Sequence, residues 1–114
     1  MTKHNSIDLI EFPVSSAEAR KKTQDFFTSV FEWKYQEWGE SYSDTTESGV
    51  SSGINSDKSA SMPLTVIYSE NLEETKEKVV QAGGTIIAGT YSFPGGRRFH
   101  FTEPGGNELA VWSE

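Results

Sequence analysis

A chain of 114 residues fits one domain, and that length suffices to bury about 65% of the unfolded surface. The net charge of −7 and pI of about 4.8 argue against nucleic acid and anionic membranes as partners. With no cysteine, disulfides, thiolate chemistry and cysteine-bound zinc are excluded.

The seven Phe, four Tyr and three Trp supply more aromatic mass than a disordered chain would carry. Residues 1–6 are polar with no apolar run behind them, and no segment approaches the ~20 apolar residues of a membrane helix. A cytoplasmic location is the expectation. In chain order, residues 7–14 (IDLIEFPV) form a short apolar strand, with Ile10 and Phe12 alternating against Leu9 and Glu11. Ser15 and Glu18 stand at capping-box spacing and open a helix over 17–30. Its apolar stripe is expected to hold Ala19, Phe26, Phe27 and Val30 with Thr23, and Arg20, Lys21 and Lys22 belong to the solvated side. Phe26, Phe27 and Phe31 are expected in the core. Three short strands follow, weakly marked by aromatic residues at 33–35, 40–42 and 49–54.

Residues 55–61 (NSDKSAS) make a polar connection, after which the order repeats. Residues 64–68 (LTVIY) are a β-branched, aromatic strand. Asn71 and Glu74 cap a second helix whose buried stripe is Leu72, Thr75, Val79 and Ala82, and Gly83-Gly84 ends it. Strands are predicted at 85–88, 97–102 and 108–112, with turns at Pro94-Gly95-Gly96 and Pro104-Gly105-Gly106-Asn107. The chain is therefore strand, helix and three strands, written twice, over residues 1–57 and 58–114. Two helices cover one sheet face, and the other face is left to line a groove of the kind that holds a small molecule.

The segments IEFPV (10–14), FFTSVFEW (26–33) and FPGGRRFHFTEPGGNELAVW (93–112) carry a further signal. In them the chain resembles the vicinal-oxygen-chelate superfamily, the glyoxalase and bleomycin-resistance relatives. The resemblance implies an α+β fold, with two βαβββ modules forming a curved mixed sheet around a cavity, in a single domain over 1–114 and as a homodimer. Metal-dependent relatives take His, Gln or Glu ligands from the first and last strands of each module. Those positions fall here on Leu9, Leu64 and Ala110, with the fourth near residues 50–54. Apolar side chains cannot coordinate a divalent ion. No metal and no cofactor are therefore expected, in line with the metal-free binding branch of the superfamily.

Strand parity gathers the remaining polar residues. If Leu9 faces the groove, so does Glu11. With Phe99 and Phe101 in the core, Arg98 and His100 point the other way, as do Glu108, Ala110 and Trp112 in the last strand, and Leu64, Val66 and Tyr68 in the fifth. Glu11 and His100 are the candidate catalytic residues. Arg98, Tyr68, Glu108, Trp112 and Tyr42 are the candidate ligand-binding residues. Arg98 suits a carboxylate or phosphate, and His100 titrates near neutrality and suits acid–base work. The competing interpretation is a structural ion pair of Glu11 and Arg98 with His100 satisfied beside it. A non-standard metal on Glu11, His100 and Glu108 is the less favoured alternative, having one imidazole. His4 is expected to be inert. No serine occupies a strand-to-helix elbow, so a nucleophilic triad finds no support. Three functions remain: a metal-independent small-molecule binder, a lyase- or isomerase-type enzyme using His100, Glu11 and Arg98, and a dimeric interaction subunit without a ligand.

Overall fold

The computed structural model describes residues 2–57 and 60–114. Of the connection expected over 55–61, Lys58 and Ser59 lie outside the described residues. The chain divides into two compact units, Leu9–Leu64 and Met1–Asp8 with Thr65–Glu114.

The first unit contains most of β1 (Ser6–Pro13), then α1 (Ala17–Phe31), β2 (Gln36–Trp38), β3 (Tyr42–Thr45) and β4 (Ser51–Asn55). Strand β4 lies parallel to β1, pairing Leu9 with Ser51 and Glu11 with Gly53. Strands β4, β3 and β2 form an antiparallel meander. The helix opens at Ser16, whose hydroxyl accepts from the Ala19 amide at 3.0 Å. The cap is therefore one residue later than the expected Ser15, because Ser16 holds the extended backbone that an N-cap needs. It ends at Glu32 in the left-handed conformation, φ +63°.

The buried stripe of α1 is rotated from its expected phase. Arg20 is buried, whereas Phe26, Val30 and Phe31 are exposed. The cause is polar. Arg20 donates from Nε to the Glu40 carbonyl (3.1 Å) and from Nη2 to Glu37 (3.2 Å), and Nη1 bonds Ser43 Oγ. Ser43 Oγ in turn donates to Gln24 (2.8 Å). A buried guanidinium needs these partners, and supplying them turns positions 20, 24 and 27 inward at i, i+4, i+7 spacing. Lys21, with Arg20 behind it, holds the Glu37 carboxyl below the ordinary carboxylate range. Strands β2 and β3 lie downstream of the residues that aromatic content alone picked out.

The second unit contains β5 (Leu64–Tyr68, from Thr65 onward), α2 (Leu72–Gln81), β6 (Thr85–Phe93), β7 (Gly96–Thr102) and β8 (Glu108–Ser113). The topology repeats: β8 is parallel to β5, and β8, β7 and β6 are antiparallel neighbours. Asn71 caps α2 by accepting from the Glu74 amide at 3.1 Å, and Gly83 follows its end at φ +98°. On the α2 side of this sheet, Leu72, Phe99, Phe101 and Val111 form a buried cluster, with Ile67, Val79, Ile86 and Leu109 packed on it. Arg97 also points to that side and pairs with Glu73 of α2 at 2.9 Å. No helix among the described residues is long and apolar enough to cross a membrane.

Candidate functional site

Because strand side chains alternate, the burial of Phe99 and Phe101 under α2 turns Arg98 and His100 onto the opposite sheet face. Cross-strand pairing extends this face. His100 stands opposite Ala110, Arg98 opposite Trp112, and Thr102 opposite Glu108. Arg98 and His100 are both buried, at 8% and 2% exposure.

Strand β6 adds a residue that the sequence did not single out. Its pairing with β7 slips twice, between Ile86 and Ala88 and again between Ala88 and Tyr91. Without the two shifts, the register set by Ile86 and Phe101 would carry Gly89 opposite Arg98. With them, Tyr91 is its partner. The Tyr91 ring stacks on His100 with centroids 5.7 Å apart, and the Arg98 guanidinium carbon lies 5.9 Å from the same ring centre.

The contacts among Arg98, Tyr91, His100 and Glu108 are compatible with one direction of donation. Arg98 Nε donates to Tyr91 Oη at 2.7 Å and approaches His100 Nε2 at 3.3 Å. A guanidinium only donates, so Nε2 must be an acceptor. With Nε2 accepting, the phenol at 2.8 Å is placed to donate to it, and Nδ1, 3.1 Å from Glu108 Oε2, is the nitrogen left to carry a proton toward the carboxylate. The order is Arg98, Tyr91, His100, Glu108.

Tyr68 and Trp112 meet edge to face at 5.0 Å, and Phe93 lies 6.1 Å from Trp112. The indole donates to Asp8 at 3.0 Å. Tyr68 Oη donates to Glu114 at 2.9 Å, and that carboxylate is the main reason the Tyr68 pKa lies above the ordinary phenol value. The protonated phenol holds this bond, so the stability it contributes is present below about pH 10 and is lost as pH rises through the elevated value. Spectroscopic titration of the phenols should find Tyr68 late, and Glu114→Gln should shift it downward. Titration of Tyr68 at the ordinary position would contradict the assignment. His4, expected to be inert, accepts from the Glu70 amide through Nδ1 at 2.9 Å and so helps hold the N-terminal segment.

In the first unit, Glu11 is buried and accepts from Asn55 Nδ2 at 3.3 Å. Tyr42 pairs with Asn55 across β3 and β4, and its phenol lies against Gly53, where a Cβ would collide with it. The sequence named Glu11 and Tyr42 but not Asn55. The structure thus brings Arg98, His100 and Glu108 together in the second unit, with Tyr68 and Trp112 on the same sheet face, and Glu11 with Tyr42 in the first.

The β1–β4 register shows which residues of β4 share a face with Leu9 and Glu11. Residues sharing the face of Leu9 and Glu11 on β4 are Ser51, Gly53 and Asn55, none of them a carboxylate or imidazole. Among the described residues, no group of three or more His, Asp or Glu side chains could hold a metal ion.

No family model matches the sequence, and no curated protein matches it. Solved structures do. An NAD-dependent benzaldehyde dehydrogenase structure from Legionella pneumophila aligns at TM-score 0.76 and 13% identity, covering 92% of this chain and 96% of that one. A glyoxalase/bleomycin resistance protein/dioxygenase superfamily member from Vibrio splendidus 12B01 aligns at TM-score 0.66 and 14% identity, covering 93% and 97%. The Mn(II)-bound glyoxalase from Novosphingobium aromaticivorans aligns at 0.67 and 13% identity, and this chain, covered to 99%, spans 40% of it. At such identities the likeness shows the fold. The chain has the α+β fold of the glyoxalase/bleomycin resistance/dioxygenase proteins, the vicinal-oxygen-chelate fold expected from its sequence.

Proposed function

We propose that this chain binds a small organic molecule, one carrying a carboxylate, on the second unit's sheet face without a resident divalent metal. The observation that carries this reading is the burial of Arg98 and His100 on the face turned away from the apolar core, with the Tyr68–Trp112 pair on the same face. A planar cation beside aromatic rings suits the carboxylate and the body of an aromatic or aliphatic acid. The apolar residues Leu9, Leu64 and Ala110 at the expected ligand positions support the metal-free part. The charge of −7 keeps nucleic acid and anionic membranes outside the proposed partners.

Thermal unfolding with a panel of small carboxylates, and separately with Mn²⁺, Ni²⁺ and Zn²⁺, tests both parts. A carboxylate at 100 times its Kd should add about 2.7 kcal/mol of stability, the metals should add none, and Arg98→Met should abolish the ligand effect. Stabilisation by micromolar metal, or an undiminished ligand effect in Arg98→Met, would refute the reading.

A further inference from the structure

The Tyr91 hydroxyl is not needed for holding a carboxylate, yet it is the best-organised group on this face. Tyr91 is 39% exposed, whereas the Arg98 and His100 side chains against it are buried. Its oxygen accepts from Arg98 Nε at 2.7 Å, and its proton is directed at His100 Nε2 at 2.8 Å. The other imidazole nitrogen bonds Glu108 at 3.1 Å. A hydroxyl on a part-exposed side chain, a base within hydrogen-bond distance and a carboxylate on the far nitrogen of that base are the parts of an activated nucleophile. The guanidinium lies where negative charge on the oxygen would develop. The absence of a suitable serine is beside the point, because a phenol from β6 occupies the nucleophile's place.

We propose that Tyr91 Oη accepts acyl groups from activated acyl compounds such as aryl esters and acyl imidazoles, with His100 as base and Glu108 as a positioning residue. This rests on the reading that the second-unit face is the ligand site. In the first step the bond from Oη to the acyl carbon forms and the bond from that carbon to its leaving group breaks. The phenolic proton passes to His100 Nε2 and from there to the departing group. Water then attacks the tyrosyl ester, giving its proton to His100. The ester C–O bond breaks, the proton returns to Oη, and a carboxylic acid leaves.

The test uses the intact protein and N-acetylimidazole, following acetylation of each of the four tyrosines by peptide mass spectrometry. Exposure alone would favour Tyr91, so the diagnostic quantity is its dependence on His100. His100→Asn is expected to slow Tyr91 acetylation by about 100-fold while leaving Tyr35, Tyr42 and Tyr68 unchanged. The fall in the wild-type rate on acidification should vanish in that variant. Labelling of Tyr91 at the wild-type rate in His100→Asn would overturn the proposal. Should that variant not fold, Glu108→Gln, whose side chain is one-third exposed, carries the test: a slowed Tyr91 supports the proposal and an unchanged rate overturns it. Loss of carboxylate binding with His100-dependent labelling intact would remove the binding reading alone. Carboxylate binding with His100-independent labelling would remove this one alone.

Discussion

Phe99→Ala is expected to destabilise the chain by about 3–5 kcal/mol. The Phe99 side chain is fully buried. It packs against Phe101 with ring centroids 6.0 Å apart, shares a cluster with Leu72 and Val111, and lies under the Lys76 ammonium at 5.9 Å. Truncation removes the transfer free energy of the ring and leaves a cavity that β7 and α2 are too well tied to close. Domains of this size hold about 5–15 kcal/mol in total, so much of the margin would go. Urea unfolding measures it, with Phe26→Ala as the comparison. Phe26 is 59% exposed, and its truncation should stay within about 0.5 kcal/mol. Equal costs at the two positions would contradict the helix phase and the core assignment together.

That contrast also marks where the sequence could be understood and where it could not. In the second unit the signals agree with one another. Alternation in 97–102, the Asn71 cap and the Gly83 stop each have a local cause, and each stands where it was expected. In the first unit the strands are short and rich in Ser, Thr and Gly, so their bounds slipped. The phase of α1 is decided by Arg20 meeting Glu37, Ser43 and the Glu40 carbonyl. Those partners lie 17 to 23 positions away in sequence, beyond the reach of a periodicity argument. Hydrophobic pattern alone preferred Phe26 and Val30.

The site divides in the same way. Arg98, His100 and Glu108 follow from parity, because side chains two apart on a strand share a face. Tyr91 does not follow. Its place depends on two register shifts in β6, and a strand expected to end at residue 88 could not bring residue 91 to bear. The one available cue was the run Tyr91-Ser92-Phe93 directly before the Pro94-Gly95 turn, which suits the end of a long hairpin strand. Asn55 falls in the polar run 55–61, whose composition reads as a connection, yet it pairs with Pro13 and Tyr42 in the sheet.

Gly96→Ala is the second change with a large expected effect, about 2–4 kcal/mol of destabilisation, and it bears on the site directly. Gly96 opens β7 at φ +156°, and a Cβ there would collide with the Ser113 carbonyl oxygen and stand 3.0 Å from Glu114 Cα. Both obstacles are backbone, so no rotamer change relieves them. The β7–β8 ladder would have to open at this end, next to the Arg97–Ser113 and Arg98–Trp112 pairs. Arg98 holds the Tyr91 oxygen, so acetylation of Tyr91 should slow as well. Gly89→Ala is the matched control. It lies in the irregular part of β6 with nothing within 4 Å of its would-be Cβ, and should be neutral or stabilising by up to about 1 kcal/mol. For a domain of this size each kcal/mol moves Tm by about 4–8 °C, so calorimetry separates the two variants. A Gly96→Ala protein that melts with the wild type would mean that the β6–β7 hairpin does not constrain β8 as described, and the register bringing Tyr91, Arg98 and His100 together would lose its support.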